Sequence, residues 1–266
     1  GEAGLIQEGV PAMPEKVLKG KRAIVTGASS GMGAAIALRV AAEGAAVWAV
    51  GGGNARALKE TVQGCAASGV RADGKGYDFS DSRQGGAAVR DGVAFLGGLD
   101  ILINCAGTRN FKPLIEVTDE EIDLMYEVNV KSFYFAAREA VKAMIPQRSG
   151  HILMMGSVSG HHARPERTLY CGTKAALELF TRSLAMEVGP YGIQVNCLAP
   201  GLVPSGRVKT KMESEPDYTA TRLKGIPLGR FGDPEHIAAT AVFLVSPVND
   251  FMSGSIISID GATASG

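Results

Sequence analysis

The sequence predicts an α/β protein with a parallel, doubly wound sheet, and three observations carry that reading. Short apolar runs alternate along the 266 residues with longer segments of helical periodicity. Hydrophobic residues make up 45% of the chain and glycines number 35, a composition suited to buried strands joined by tight turns. The first apolar run leads straight into a glycine-rich turn and then a helix-like pattern. Strands alternating with helices require a parallel sheet covered on both faces, and right-handed crossovers make it doubly wound.

Residues 1–20 carry Gly, Pro and charges without sustained periodicity and read as an N-terminal arm. Ala23–Thr26 is the first strand candidate, followed by Thr26-Gly27-Ala28-Ser29-Ser30-Gly31-Met32-Gly33. Glycines in such a turn permit positive φ and close backbone approach, while the first amides of the next helix face a pyrophosphate. The TGxxxGxG spacing lacks the Gly-Lys-Ser/Thr ending of a nucleoside-triphosphate loop and differs from GxGxxG. Further strand candidates are Ala46–Val50, Ala72–Asp78, Ile101–Asn104, His151–Met155, Ile193–Cys197 and Ile256–Ile259. Helical periodicity runs over Asp119–Met144 and Thr173–Val188.

Charge and cysteine content exclude several classes. Lys+Arg and Asp+Glu both total 27, so no global basic field argues for nucleic acid, and no long apolar segment argues for a membrane span. Cys65, Cys105, Cys171 and Cys197 show neither CxxC spacing nor a disulfide framework, which predicts reduced thiols, no metal site and a cytoplasmic location. Cys171 borders Tyr170 and reads as a packed thiol, since no activating base is evident.

Tyr170 and Lys174 stand four residues apart, with Ser157 thirteen residues upstream at the end of an apolar run. On a helix this spacing places the ammonium beside the phenol, and a nearby cation brings a phenol, which titrates at about 10 when unperturbed, toward the working range of proton exchange. Singly, each residue has an ordinary reading: the pair as helix surface, Ser157 as a strand-end cap, Asn129 as a helix hydrogen bond.

Together with the glycine turn, the chain carries Tyr77-Asp78-Phe79, Asn104-Cys105-Ala106-Gly107, Val128-Asn129-Val130, Gly156-Ser157-Val158-Ser159-Gly160, the Tyr170/Lys174 pair and Ala199-Pro200-Gly201. In these motifs and their order it resembles the short-chain dehydrogenase/reductase family from Lys21 to Ala262, with Cys105 where the family usually has Asn. The resemblance implies one Rossmann-type domain over residues 21–266, with seven strands in the order 3-2-1-4-5-6-7 and a substrate lid near 202–226. It implies hydride transfer between a nicotinamide cofactor and a carbonyl or secondary alcohol, as in a ketoreductase. Tyr170 would exchange the proton, Ser157 hold the reacting oxygen, Lys174 tune Tyr170 and bind the ribose, and Asn129 support a water beside Lys174.

Gly27, Ser29, Ser30, Gly31, Met32 and Gly33 would cradle the pyrophosphate, with Gly51 and Gly52 at the adenosine ribose. Asp78, Phe79, Asn104, Ala106 and Gly107 would lie along the adenine side, and Pro200, Gly201, Val203 and Ser205 would reach the carboxamide. Ser205 falls where the family often has Thr. Gly51-Gly52-Gly53 departs from the family, because NAD users place an acid there and NADP users an Arg. With no carboxylate to repel a phosphate, and Arg56 or Lys59 on the next helix, NADP(H) is slightly favoured over NAD(H); acceptance of both is the alternative. The family also implies a homotetramer.

Substrate identity stays open. Arg207, Lys209, Lys211, Arg222 and Lys224 in the lid face Glu213, Glu215 and Asp217, as a solvated lid or an acidic substrate would require. His161, His162, Arg164 and Arg167 fall where relatives line the cleft, and suit a carboxylate, a carrier-linked phosphate or plain solvent exposure. The stretch Pro227–Glu235 resembles bacterial 3-oxoacyl-carrier-protein reductases but is shared with sugar, polyol and steroid dehydrogenases. A noncatalytic nucleotide sensor is one alternative function. A serine hydrolase is another, although Val158 breaks GxSxG around Ser157.

Overall fold

The apolar runs pair as seven parallel strands. A computed structural model describes residues 16–204, 212 and 214–265. Its strands are β1 (Arg22–Thr26), β2 (Ala46–Gly51), β3 (Ala72–Gly76), β4 (Ile101–Asn104), β5 (Gly150–Met155), β6 (Ile193–Pro200) and β7 (Ile256–Ile259). They lie in the order β3-β2-β1-β4-β5-β6-β7, as the family resemblance implied. The helices are α1 (Gly31–Ala42), α2 (Ala55–Ala67), α3 (Arg83–Leu96), α4 (Asp119–Tyr126), α5 (Ser132–Met144), α6 (Thr168–Val188), α7 (Pro216–Lys224) and α8 (Pro234–Val245).

The period of two along each strand assigns successive residues to opposite layers. Val25, Val47, Ala49, Ile103 and Leu153 face α1, α2 and α8 through Ile36, Val40, Leu58 and Ile237. Ile24, Trp48, Leu102, Ile152 and Val195 face α3, α5 and α6 through Val89, Phe133 and Leu177. Each large apolar side chain removed from water in this way contributes about 1.5–3 kcal/mol, and the two layers hold the strand ends in place. Leu18, within the segment read as an arm, is fully buried in the first layer.

Four elements differ from expectation by two residues or more, the first being β6, which runs on past Cys197 to Pro200. The helix predicted over Asp119–Met144 is divided by a π-helical turn at Glu127–Lys131, which turns Asn129 inward to complete burial. The helix expected from Thr173 starts instead at Thr168, so Tyr170 lies in its first turn. Gly172 dilutes the helical signal there. β3 ends at Gly76 rather than Asp78, because Tyr77 turns aside to donate its hydroxyl to Asp91, 2.6 Å away, and Asp78 closes a turn with Ser80. Among the described residues no helix is long and apolar enough to cross a membrane.

Candidate active site

The site forms where the sheet order reverses, at the carboxyl ends of β1 and β4. Thr26 ends β1, and its Oγ1 accepts hydrogen bonds from the Cys105 and Ala106 amides, each at 3.0 Å. Gly27, at φ 71°, lies so close that a Cβ would stand 2.8 Å from the Ala106 nitrogen. Gly33 likewise meets the Gly27 carbonyl, drawing α1 against the turn. Ser30 at the N-cap makes no side-chain cap bond and the first turn of α1 has no acid, so its amides and positive dipole end stay available to an anion.

A cavity of about 800 Å³ opens above this turn. Gly27, Ser29, Ser30, Gly31, Met32 and Gly33 line one part, Gly51 and Gly52 another, and Asp78, Phe79, Ala106 and Gly107 the rest. The Asp78 carboxylate is held below its usual range by hydrogen bonds from Ser80, whose amide lies 2.9 Å from Oδ1. Asn104 does not line the cavity: it is buried, and its amide points to the Met154 sulfur at 3.6 Å. A Cβ placed at Gly51 would meet the side-chain ends of Ser29 and Leu58, whereas at Gly52 and Gly53 it has nothing within 4 Å, so these two are the open positions of the glycine run. Arg56 is paired with Glu60 at 2.9 Å and is 91% exposed, and Lys59 is exposed.

A second cavity, of about 360 Å³, adjoins the first at Met32 and is lined by Ser157, Tyr170, Pro200, Gly201 and Val203. Ser157 is extended at the end of β5, and its Oγ accepts from the Ser159 amide at 3.1 Å. Lys174 is buried, donates through Nζ to the Met155 carbonyl at 2.8 Å, and lies 5.8 Å from the Tyr170 ring centroid. Asn129 exchanges two hydrogen bonds with the Thr108 main chain and donates to Thr173 Oγ1 at 3.3 Å. Gly107 lies between these groups, its Cβ position 3.4 Å from Asn129 Oδ1 and 3.8 Å from Lys174 Nζ. Ser205 lies outside the described residues, as do Arg207, Lys209, Lys211 and Glu213 of the lid.

No histidine reaches Ser157 as a hydrolytic base would. The His161 ring faces Glu178 at 2.7 Å and Ser258 at 3.3 Å, and neither it nor His162 lines the cavity. Burial pushes the Cys105 thiol up to about 12 despite the charge of Lys174, so it stays a neutral packed group.

Several lining residues escaped the sequence reading. Arg109 and Phe111 follow the Asn104–Gly107 motif and enter the second cavity, where Phe111 meets the edge of Tyr170 at 5.4 Å. An aromatic in a polar loop was the available signal. Asn54, Ser80, Leu124 and Val128 line the first cavity and gave none.

Comparison with known proteins agrees with this geometry. Residues 27–263 match the family model described as enoyl-(acyl carrier protein) reductase. Elsinochrome reductase 1 of Elsinoe fawcettii is 36% identical over 94% of this chain and 97% of its own. Gluconate 5-dehydrogenase of Gluconobacter oxydans is 35% identical over 92% and 94%. The crystal structure of a short chain dehydrogenase from Burkholderia cenocepacia in complex with NADP superposes with a TM-score of 0.86 at 32% identity, covering 92% of this chain and 98% of that one. Motifs, sheet order and relatives converge: the chain belongs to the short-chain dehydrogenase/reductase family and is an NAD(P)-dependent oxidoreductase.

Proposed function

We propose that the protein is a ketoreductase in which Tyr170, Ser157, Lys174 and Asn129 form the catalytic group. The observation that carries this reading is the meeting of the two cavities at Met32, which joins a glycine-lined cradle to a chamber holding both Ser157 and Tyr170. The cradle suits a dinucleotide, since Gly27 and Gly33 let the turn, the loop after β4 and α1 close together so that the first amides of α1 border the cavity. When bound, the nicotinamide supplies a hydride to a carbonyl or takes one from an alcohol. Gly31–Gly33 would hold the pyrophosphate on the α1 amides, and Asp78 and Phe79 the adenine side. Tyr170 Oη gives its proton to the carbonyl oxygen, and Ser157 Oγ hydrogen-bonds that oxygen and fixes its position. Lys174, anchored by the Met155 carbonyl, keeps a positive charge beside the phenolic oxygen as the proton leaves.

A slight preference for NADP(H) is supported by the absence of a carboxylate at Gly51-Gly52-Gly53 and by the NADP in the Burkholderia cenocepacia relative. We read the active form as a cytoplasmic homotetramer associating through α4–α5 and α6 and, in addition, near β7. Exposed Tyr134, Leu179 and Met186 on α5 and α6 favour that association. A panel of carbonyls and alcohols with both cofactors, followed by nicotinamide absorbance, tests reaction class and cofactor together. Absence of turnover with every member would overturn the reading. Light scattering tests the assembly, and a stable monomer would exclude it.

A further inference from the structure

We propose that the chamber beside Ser157 and Tyr170 takes a substrate bearing an anionic oxygen group, a carboxylate or phosphate, gripped by Arg167 and Arg222 with Arg109 and Arg164 beside them. This rests on the reading of that chamber as the substrate site.

Four arginines from three separate segments line one cavity of about 360 Å³. Arg109 comes from the loop after β4, Arg164 and Arg167 from the approach to α6, and Arg222 from α7. Like charges do not gather in a confined space without a counter-charge. Among the described residues Arg22, Arg39, Arg56, Arg90 and Arg138 each pair with an acid, whereas Arg71, Arg83, Arg148, Arg182 and Arg230 form no such pair and do not line this cavity. Among the described residues, none of the four chamber arginines forms such a pair. Burial, with the charges of Arg222 and Arg164 close by, pushes the Arg167 guanidinium down, against a smaller opposing influence of Cys171 and Tyr170.

Two details mark a prepared site rather than a solvated cluster. Arg222 Nε is buried and has no hydrogen-bond partner among the described residues, an arrangement that costs free energy unless an acceptor arrives. Arg167 lies 4.4 Å above the Phe111 ring, and Phe111 packs edge-on to Tyr170, so the guanidinium is held in line with the reacting end of the chamber. The first turn of α6, which begins beside Arg167, also lacks an acid and a side-chain cap. A planar fork held on an aromatic face matches the geometry of a carboxylate or phosphate.

The test compares each of 3-oxobutanoate, 4-oxopentanoate and 4-formylbenzoate with its methyl ester, and a keto phosphate with its neutral alcohol, in the wild type, Arg167→Met and Arg222→Met. The acid-to-ester ratio of kcat/KM, taken on one preparation, cancels any loss of folded enzyme. A ratio of about 10–100 in the wild type for at least one anion, falling toward one in both variants, is expected for charge-assisted hydrogen bonds. The arm with the largest ratio identifies the anionic group. A wild-type ratio near or below one for every pair, or a ratio unmoved by both variants, overturns the proposal. If no carbonyl turns over, the ketoreductase reading fails, and the anion site is judged by calorimetric titration of 4-formylbenzoate into the cofactor-loaded protein. Affinity that drops about tenfold in Arg167→Met then sustains it, and affinity that is absent or unchanged overturns it.

Discussion

Asn129 clasps Thr108 from both sides: its Oδ1 accepts the Thr108 amide and its Nδ2 donates to the Thr108 carbonyl, each at 2.8 Å. The π-helical turn makes this possible by rotating Asn129 toward the loop that leaves β4, so one side chain connects that loop to the neighbourhood of Lys174. Asn129→Leu leaves two main-chain groups unpaired beneath the site and is expected to lower stability by about 1–3 kcal/mol together with turnover. Asn129→Asp keeps the acceptor and loses the donor, and should fall between. Denaturant unfolding and steady-state rates measure both, and a fully stable Asn129→Leu would show that water replaces the clasp.

Tyr170→Phe should reduce turnover by about 10²–10⁴ while leaving cofactor affinity largely intact, because the lost hydroxyl acts on the reacting oxygen. Near-normal turnover by the folded variant would remove Tyr170 from the chemistry. Lys174→Met should lower both rate and cofactor affinity, and it also deletes the bond to the Met155 carbonyl. Cofactor titration by fluorescence separates the two effects. Unchanged affinity would exclude a ribose contact by Lys174.

Gly52→Asp adds a carboxylate on the ribose side where nothing obstructs a Cβ, and should shift the ratio of kcat/KM values toward NAD by roughly tenfold. Most of that shift should come from weaker use of NADP. Gly51→Asp must first displace Ser29 Oγ and Leu58 Cδ2, both ends of flexible side chains, so the same cofactor shift is expected there with a slightly lower unfolding midpoint. An unchanged cofactor ratio in Gly52→Asp would mean that the adenosine ribose is read elsewhere.

His151, at the start of β5, is held neutral by burial and by the positive charge of Lys21, which push it down to about 4 from an ordinary 6.5. Between those values the unfolded chain binds a proton that the folded chain refuses, so stability rises with pH across the window and falls as pH drops through it, levelling below about 4. The contribution is at most about 3 kcal/mol. Denaturant unfolding at pH 7 and pH 5 should show the loss, and His151→Leu should flatten that part of the profile. An equal slope in the variant would assign it to other groups.

The parallel strands, the glycine turn and the Ser157, Tyr170 and Lys174 spacing were legible in the sequence, because strand burial and i to i+4 geometry are local periodicities that side-chain type reveals directly. The strand order was legible through the family resemblance. The π-helical turn at Glu127–Lys131 was not, since the partners of Asn129, Thr108 and Thr173, lie 21 and 44 residues away along the chain. Nor did the sequence distinguish Gly51 from Gly52, which are chemically identical and differ only in what Ser29 and Leu58 place around them. Arg109, Arg164, Arg167 and Arg222 span more than a hundred positions, and their convergence on one chamber arises where the loop after β4, the entry to α6 and helix α7 pack together. Sequence determined which chemical groups are present and the elements that carry them; tertiary packing decided which groups meet, because proximity between distant segments depends on the summed geometry of the whole sheet and its connections.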